Sequence, residues 1–567
     1  MLRLPFVLLA NLLIGLRLLL GLPFRLMAVR QRPTWVRFRL TGNLPYRPRP
    51  GPRFRLGGTP VEPATVASLE DFGRALRTLA ADPKVEGILL ELENLTLADA
   101  RRDALLTLIS DFQAAGKRVV SWSVMVDTSA YPILGAADEV LLAPMGRVDL
   151  VGFAAEATVL GEAFGRVGIH AHFARRGDYK TAPELFTDGT VSDVQRQTLE
   201  TFLDERYAVL VDAIARDRGK TPEEARALID AGPYSAKRAL EAGLVDGLVH
   251  EADLGAHLGL ESKKKAAHDD ETPVPTFSAY LATQPFPPVR WRRLRRKPRL
   301  AVVDVAGIIV PGSGGSGRFA AADTVVKALR QAARDPRSKA VVLAVASPGG
   351  SALASEQMLE AVKRVAKQKP VIAYVDKVCA SGGYMAAIGA KEIWSAPHAV
   401  VGSIGIFQGK FEYGDLLDKL GVRSTTVTRG QNAAFGSGSR GFTPHERAAL
   451  EREVEEGYQT FLELVAQARG RTKEEIHQLA EGRVYSGLRA KDAGLVDRIG
   501  GFEEVCRYAM DEARVSSEDF EIHRFGRGAR SRLSLLKLLA AAAHPTSYAF
   551  CTTAWGLWGF GTTEPID

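Results

Sequence analysis

Short runs of β-branched and apolar residues alternate along this chain with amphipathic stretches. Val85-Glu-Gly-Ile-Leu-Leu90, Ala340-Val-Val-Leu-Ala-Val345 and Val371-Ile-Ala-Tyr-Val375 are strand-like, whereas Ala361-Val-Lys-Arg-Val-Ala-Lys367 spaces its apolar residues for one face of a helix. Strands followed by helices in this order predict βα units on a largely parallel sheet, so the fold class is α/β.

The same pattern occurs twice. Asp82-Pro83 precedes one apolar run and Asp335-Pro336 another, at an offset of 335 − 82 = 253. That offset, without a gap, also pairs Tyr131 with Tyr384, Glu139 with Glu392, Ala143-Pro144 with Ala396-Pro397, Gly152 with Gly405, Gly168 with Gly421 and Arg176-Gly177 with Arg429-Gly430. Further on, Tyr234-Ser235 and Ala242-Gly-Leu-Val-Asp246 recur as Tyr485-Ser486 and Ala493-Gly-Leu-Val-Asp497 at an offset of 251. Chance does not hold one register over such a length, and the chain contains two diverged tandem copies of one domain. Its 567 residues suffice for two large cores. The expected organisation is an N-terminal hydrophobic anchor (1–30), a first repeat (51–257), a linker rich in lysine, proline and arginine (258–297), a second repeat (298–524) and a hydrophobic tail (525–567) that packs on the domain or touches membrane.

Residues 6–22 are apolar apart from Asn11 and Arg17, near the shortest length that spans a bilayer, and are expected to associate with a membrane. A spanning anchor, an interfacial helix and a cleavable leader all fit the run, although no small-x-small cleavage site comes after it. Arg17, Arg25, Arg30 and Arg32 lie within or after it, which by the positive-inside tendency argues against simple export of the chain beyond the run. The net charge of +8 is concentrated near residues 25–55 and 290–299. Arg292-Arg-Leu-Arg-Arg-Lys297 lacks interleaved aromatics, so a solvated or membrane-surface linker is expected and nucleic acid is not. Three cysteines without Cys-x-x-Cys spacing give neither a disulfide framework nor a zinc site. No Gly-x-x-x-x-Gly-Lys-(Ser/Thr) or His-Glu-x-x-His occurs, so neither metal nor other cofactor is expected.

The candidate chemistry sits in the second copy. A strand over Val341–Ala346 runs into Ser347-Pro-Gly-Gly-Ser351 and then a helix from Leu353, a turn that is either a plain tight connection or an oxyanion hole. The next strand, Pro370–Val375, leads through Asp376-Lys-Val-Cys-Ala to Ser381-Gly-Gly-Tyr384, a second turn with a serine at its tip. His398, His445 and His477 of the second copy are the candidates for a histidine-based triad, but none lies in a motif with a carboxylate partner.

Ser347-Pro-Gly-Gly-Ser351, Ala380-Ser-Gly-Gly-Tyr384 and Val401-Gly-Ser-Ile-Gly405 resemble the signal peptide peptidase A family (protease IV, peptidase family S49) in its double-length form, over roughly residues 60–520. The resemblance implies two copies of a Clp-protease/crotonase-like domain. It makes Ser381 the nucleophile and assigns the general base to a lysine of the first copy, in a Tyr-Lys-(Ser/Thr)-Ala segment matched by Tyr179-Lys180-Thr181-Ala182. Gly350 and Gly382 would supply the oxyanion hole, and Ser403 is either a simple turn serine or, as the resemblance implies, the residue that orients the lysine. The resemblance further implies cleavage of remnant signal peptides and other apolar peptides, a homo-tetramer, and attachment to the bacterial inner membrane with the catalytic part on the periplasmic side.

The repeat register supports the pairing independently. Thr128 stands opposite Ser381 and Ala433 opposite Lys180, so each copy retains one half of a dyad. A serine hydroxyl is a poor nucleophile until a base takes its proton, and lysine is a base only when neutral. Its pKa must fall from about 10.4 toward about 7, which predicts a dry pocket between the two copies around Lys180. A crotonase-like acyl-CoA enzyme, which uses similar glycine-rich turns, and a non-catalytic scaffold are the alternatives; both leave the complementary halves unexplained.

Overall fold

Each copy's apolar runs become neighbouring strands. The computed structural model describes residues 32–46, 66–260, 274–284, 297–314, 318–516 and 520–526, short helical pieces at 8–9, 11–12, 15–16 and 19–20, and the backbone of a strand at Tyr548–Phe550. The chain divides into two compact units, Met1–Phe153 with Glu205–Arg296, and Ala154–Asp204 with Lys297–Ile566.

In the first unit, Trp35–Gly42, Gly87–Leu95, Arg118–Asp127 and Glu139–Asp149 lie side by side, all parallel. Ile88, Leu89, Leu90, Val119, Val120, Val140, Leu141 and Leu142 are wholly buried, as expected of strands covered on both faces. Helix Leu69–Ala80 begins where the Ser68 side chain accepts the Asp71 N–H at 3.1 Å. It buries Phe72, Ala75, Leu76 and Leu79, one stripe at helical spacing.

The second unit holds two sheets. One places Glu521–Phe525, Arg299–Ala306, Ser338–Ser347, Val371–Ala380, Val400–Gly402 and Val484–Ser486 in that order, with only the last strand antiparallel to its neighbour; Glu392–Ser395 also pairs with Val371–Ala380. The other runs Phe319–Ala321, Ile308–Val310, Gly349–Ser351, Tyr548–Phe550, Ile406–Glu412 and His170–Arg176.

The duplication is visible in detail. Strand Arg118–Asp127 recurs as Val371–Ala380 at the offset of 253, and helix Asp193–Arg218 recurs as Pro444–Arg469 at 251. The Tyr131 hydroxyl donates to the Leu244 carbonyl and the Tyr384 hydroxyl to the Leu495 carbonyl, each at 2.8 Å. Asp246 accepts the Val140 N–H as Asp497 accepts that of Ile393, each at 2.7 Å.

Two local expectations change. The strand expected over Pro370–Val375 continues to Ala380, because Val378, Cys379 and Ala380 pair with Val400–Gly402 and are buried. The glycine-rich turn after Ser347 is itself partly strand, Gly349–Ser351. A Cβ on Gly350 would strike the Ile309 carbonyl, so only glycine allows the two backbones to approach this closely.

Most of the expected anchor, including Arg17, Arg25 and Arg30, lies outside the described residues, as do 261–273 and 285–296 of the linker and 527–547 and 551–567 of the tail. Among the described residues no helix is long and apolar enough to cross a membrane.

Candidate active site

Ser381 sits where strand Val371–Ala380 ends and helix Gly382–Ala387 begins. Its backbone has φ +54° and ψ −118°, a conformation that a residue with a side chain rarely adopts and that persists only when its surroundings enforce it. The enforcement is local: the Ser381 N–H donates to the Gly402 carbonyl at 2.7 Å, and the Ser381 carbonyl accepts the Met385 N–H at 2.9 Å. The next turn repeats the device, with Ser403 at φ +52° and its N–H donating to the Arg483 carbonyl at 2.6 Å.

Lys180 reaches this turn by way of a strand pair. His170–Arg176 runs antiparallel to Ile406–Glu412 over its whole length, from His170 opposite Glu412 to Arg176 opposite Ile406. The chain then turns, and the Lys180 Nζ lies 2.8 Å from Ser381 Oγ and 3.0 Å from both the carbonyl and the hydroxyl oxygen of Ser403. Lys180, Ser381 and Ser403 are at most 1% exposed.

Two groups of residues hold the Lys180 loop. On one side Arg175 donates to the Lys180 carbonyl at 3.3 Å and to Glu184 at 2.6 Å, and Glu184 also accepts from Ser192 at 2.6 Å. On the other, residues 481–483 bind both turns at once. The Glu481 carbonyl accepts the Tyr179 N–H at 2.8 Å, the Gly482 N–H donates to the Ile404 carbonyl at 2.8 Å, and the Arg483 carbonyl accepts from Ser403. The Arg483 guanidinium lies 4.2 Å from the centre of the Tyr179 ring.

Gly350 and Gly382 are neighbours: a Cβ built on Gly382 falls 3.4 Å from the Gly350 nitrogen. Gly350 precedes helix Ala352–Ala366, whose cap Ser351 accepts the Ala354 N–H at 3.4 Å, so a helix N-terminus stands behind the glycines. All five residues singled out in the sequence therefore lie in one unit, and Lys180, Ser381 and Ser403 are in direct contact.

The histidines have other surroundings. His477 Nδ1 is 2.9 Å from the Tyr458 hydroxyl, His445 is exposed, and His398 is half-buried beyond the strand that ends in Ser395. Thr128, the counterpart of Ser381, donates to the Asp149 carbonyl and accepts from the Val151 N–H, both at 3.0 Å, and Ala433, the counterpart of Lys180, is exposed. Cys379 is wholly buried, and burial pushes its thiol well above the ordinary range, as expected of a packing residue. The sequence did not point to Arg175, Glu184 or residues 481–483. One signal was available for the last: at the offset of 251, Glu481-Gly-Arg-Val-Tyr485 replaces Asp230-Ala-Gly-Pro-Tyr234, moving the glycine by one position.

Comparison with known proteins gives this arrangement a context. Residues 111–265 and 363–516 each match the family model described as Peptidase family S49. The chain belongs to peptidase family S49. It is a serine peptidase with the family's region present twice. This S49 peptidase is 30% identical over 458 residues to Protease 4 of Salmonella typhi, covering 79% of this chain and 72% of that protein. It is 28% identical over 456 residues to the chloroplastic serine protease SPPA of Arabidopsis thaliana, covering 79% of this chain and 65% of the plant protein. Among solved structures, ClpP1 from Listeria monocytogenes aligns with 35% of this chain and 91% of its own at 17% identity, with a TM-score of 0.23.

Proposed function

We propose that this S49 peptidase cleaves peptide bonds with Ser381 as nucleophile and Lys180 as general base. The observation that carries the reading is the 2.8 Å approach of the Lys180 Nζ to Ser381 Oγ in a place closed to water. Buried, with Ser381 Oγ at 2.8 Å and both oxygens of Ser403 at 3.0 Å, the Lys180 amine is placed to take the serine's proton. In the reaction Ser381 Oγ attacks the carbonyl carbon while its proton passes to Nζ. The tetrahedral oxyanion is held by the Gly350 and Gly382 N–H groups, and the proton is returned to the leaving amine as the C–N bond breaks. Water, deprotonated by Nζ, then attacks the acyl-serine ester and restores the Ser381 hydroxyl. Ser403 contributes two oxygens that fix the amine.

The substrates in this reading are apolar peptides, cleaved signal peptides among them. A half-buried aromatic cluster supports it: Phe173 and Phe411, on the strand pair that leads to Lys180, pack with Phe164 and Phe186 at ring-centroid distances of 5.2–6.2 Å. Association with a membrane is supported by Leu8, Leu9, Leu12, Leu16, Leu19 and Leu20, all exposed in the described N-terminal pieces; action at the bacterial inner membrane on its periplasmic side is proposed from the family alone, and protease accessibility in intact spheroplasts tests the side. Assembly as a homo-tetramer is proposed from the double-length form, and a monomer by light scattering in mild detergent contradicts it.

The deciding experiment is hydrolysis of a fluorogenic apolar peptide by the wild type, Ser381→Ala and Lys180→Ala, with circular dichroism to show that all three are folded. The expected loss is roughly 10²–10⁴-fold for Lys180→Ala and at least as much for Ser381→Ala. Substantial activity in folded Lys180→Ala places the base elsewhere.

A further inference from the structure

Glu481 holds a backbone conformation that its surroundings must enforce. Its φ is +55°, in the left-handed region that residues with a side chain rarely enter, and Gly482 after it is at +81°. The Glu481 carbonyl accepts the Tyr179 N–H at 2.8 Å, so this residue sets the start of the loop that presents Lys180.

Two side chains close around Glu481. Its N–H donates to the Tyr458 hydroxyl at 3.2 Å, and that hydroxyl lies 2.9 Å from His477 Nδ1. His477 Nε2 in turn faces the Glu481 carboxylate, 3.7 Å from Oε1. Tyr458, on helix Pro444–Arg469, is buried, and burial pushes its hydroxyl up to about 12, so it keeps its proton. A phenol that accepts an amide N–H has that one proton to give, and Nδ1 is the acceptor beside it. The imidazole then carries its own proton on Nε2, toward the carboxylate. The contacts start at the Glu481 amide and return to the Glu481 side chain, so the residue is gripped at both. The first copy provides a contrast. At the offset of 251 it keeps the tyrosine as Tyr207 but has Arg226 for His477 and Asp230 for Glu481. A guanidinium has five donors and no acceptor, so it cannot take a phenol's proton. The acceptor is present in the copy whose loop meets Lys180.

We infer that Tyr458 and His477 are positioning residues for the reaction at Ser381: by clamping Glu481 they fix the loop that carries the Lys180 Nζ to 2.8 Å from Ser381 Oγ. The inference rests on the proposed role of Lys180 as base. Both side chains act through the Glu481 backbone and not on the reacting atoms.

Three variants of the full chain test this. Tyr458→Phe removes the hydroxyl and keeps the ring, His477→Leu removes the acceptor, and His477→Asn keeps an oxygen acceptor near the place of Nδ1. For the fluorogenic peptide, Tyr458→Phe and His477→Leu should lower kcat about 10- to 100-fold with KM within about twofold of wild type, and should displace the acidic limb of the kcat profile. His477→Asn should recover most of the lost kcat. A merely structural role predicts lower melting temperatures, kcat per folded molecule and its pH profile intact, and no advantage of asparagine over leucine; that result overturns the inference. Position is read apart from chemistry by hydrogen exchange of segment 178–182 in Ser381→Ala with and without Tyr458→Phe, where faster exchange is expected. Unchanged exchange overturns the inference even if the dyad is correct. So does faster exchange with an unaltered kcat, which makes the clamp a support for the loop that the reaction does not need. Substantial activity in folded Lys180→Ala rejects the dyad reading instead, and a positioning role through Lys180 falls with it.

Discussion

At the scale of single residues, the geometry around Ser381 depends on positions that carry no chemistry. Gly482 is the clearest case. Its φ is +81°, and an added Cβ would fall 2.5 Å from the Lys180 nitrogen, 2.7 Å from its Cα and 2.8 Å from its Cβ. The obstacles are the backbone and the base of the side chain, which cannot rotate away, so Gly482→Ala must move either the Lys180 loop or its own. A misplacement of about 1 Å at a reacting group costs on the order of 100-fold in rate. We therefore expect Gly482→Ala to lower kcat about 100-fold with little change in KM, and to distort the acidic limb of the kcat profile that reports the lysine. A purely structural role predicts lower thermal stability with kcat and its pH dependence intact in the folded fraction, so kinetics and melting measured together separate the two. The first copy has Ala231 at the corresponding position, consistent with a loop that has no lysine to accommodate.

At the scale of elements, helix Pro444–Arg469 shows how sequence fixes a boundary and ties it to pH. Thr443 accepts the Glu446 N–H at 3.2 Å while Glu446 accepts the Thr443 N–H at 2.9 Å, and Pro444 fills the first helical position. Glu446 is wholly buried and is held by both arms of Arg440 at 2.8 Å. That hydrogen-bonded guanidinium, aided by the Thr443 N–H, pulls its carboxyl from 4.5 down to about 2. A carboxyl lowered in the folded state stabilises fully above its unfolded value, and the contribution is lost as pH falls from about 4.5 through about 2. Glu446→Gln should therefore lower Tm at pH 7 and show a shallower decline than wild type between pH 5 and 3; parallel declines would mean that Glu446 is not depressed. Capping of this kind is legible in sequence because Thr, Pro and Glu lie within four residues. The parallel strands were legible for a related reason, since their runs are apolar throughout. Gly349–Ser351 was not: proline and two glycines read locally as a turn, and the strand exists because Ile309 and Ala549, distant in sequence, supply partners. The contact of Lys180 with Ser381 was legible because the duplication preserved a register against which each missing half could be noticed. Residues 481–483 had no such reference, because their role arises only where three loops meet.

At the scale of the whole molecule, two homologous copies retain one complete set of candidate catalytic groups, and the chain assembles that set within one compact unit. Residues 154–204, which belong to the first copy in sequence, pack in the unit built from 297–566. The transferred segment carries Lys180 together with the Arg175, Glu184 and Ser192 that hold its loop, and Phe202 from the same segment packs against Val378, Ala380 and Val400 beside the nucleophile's strand. The arrangement predicts a specific result for mixtures. Ser381→Ala keeps the lysine and Lys180→Ala keeps the serine, but each chain fills its own unit with its own 154–204 segment. An equimolar mixture of the two folded variants should cleave no faster than the average of the two alone, whether or not light scattering shows them assembled into the same oligomer. Recovery of activity that grows with total protein concentration would instead require the segment to be exchanged between chains. Because apolar side chains such as Phe202 anchor it in the core, exchange should become possible only when the two variants are refolded together from denaturant.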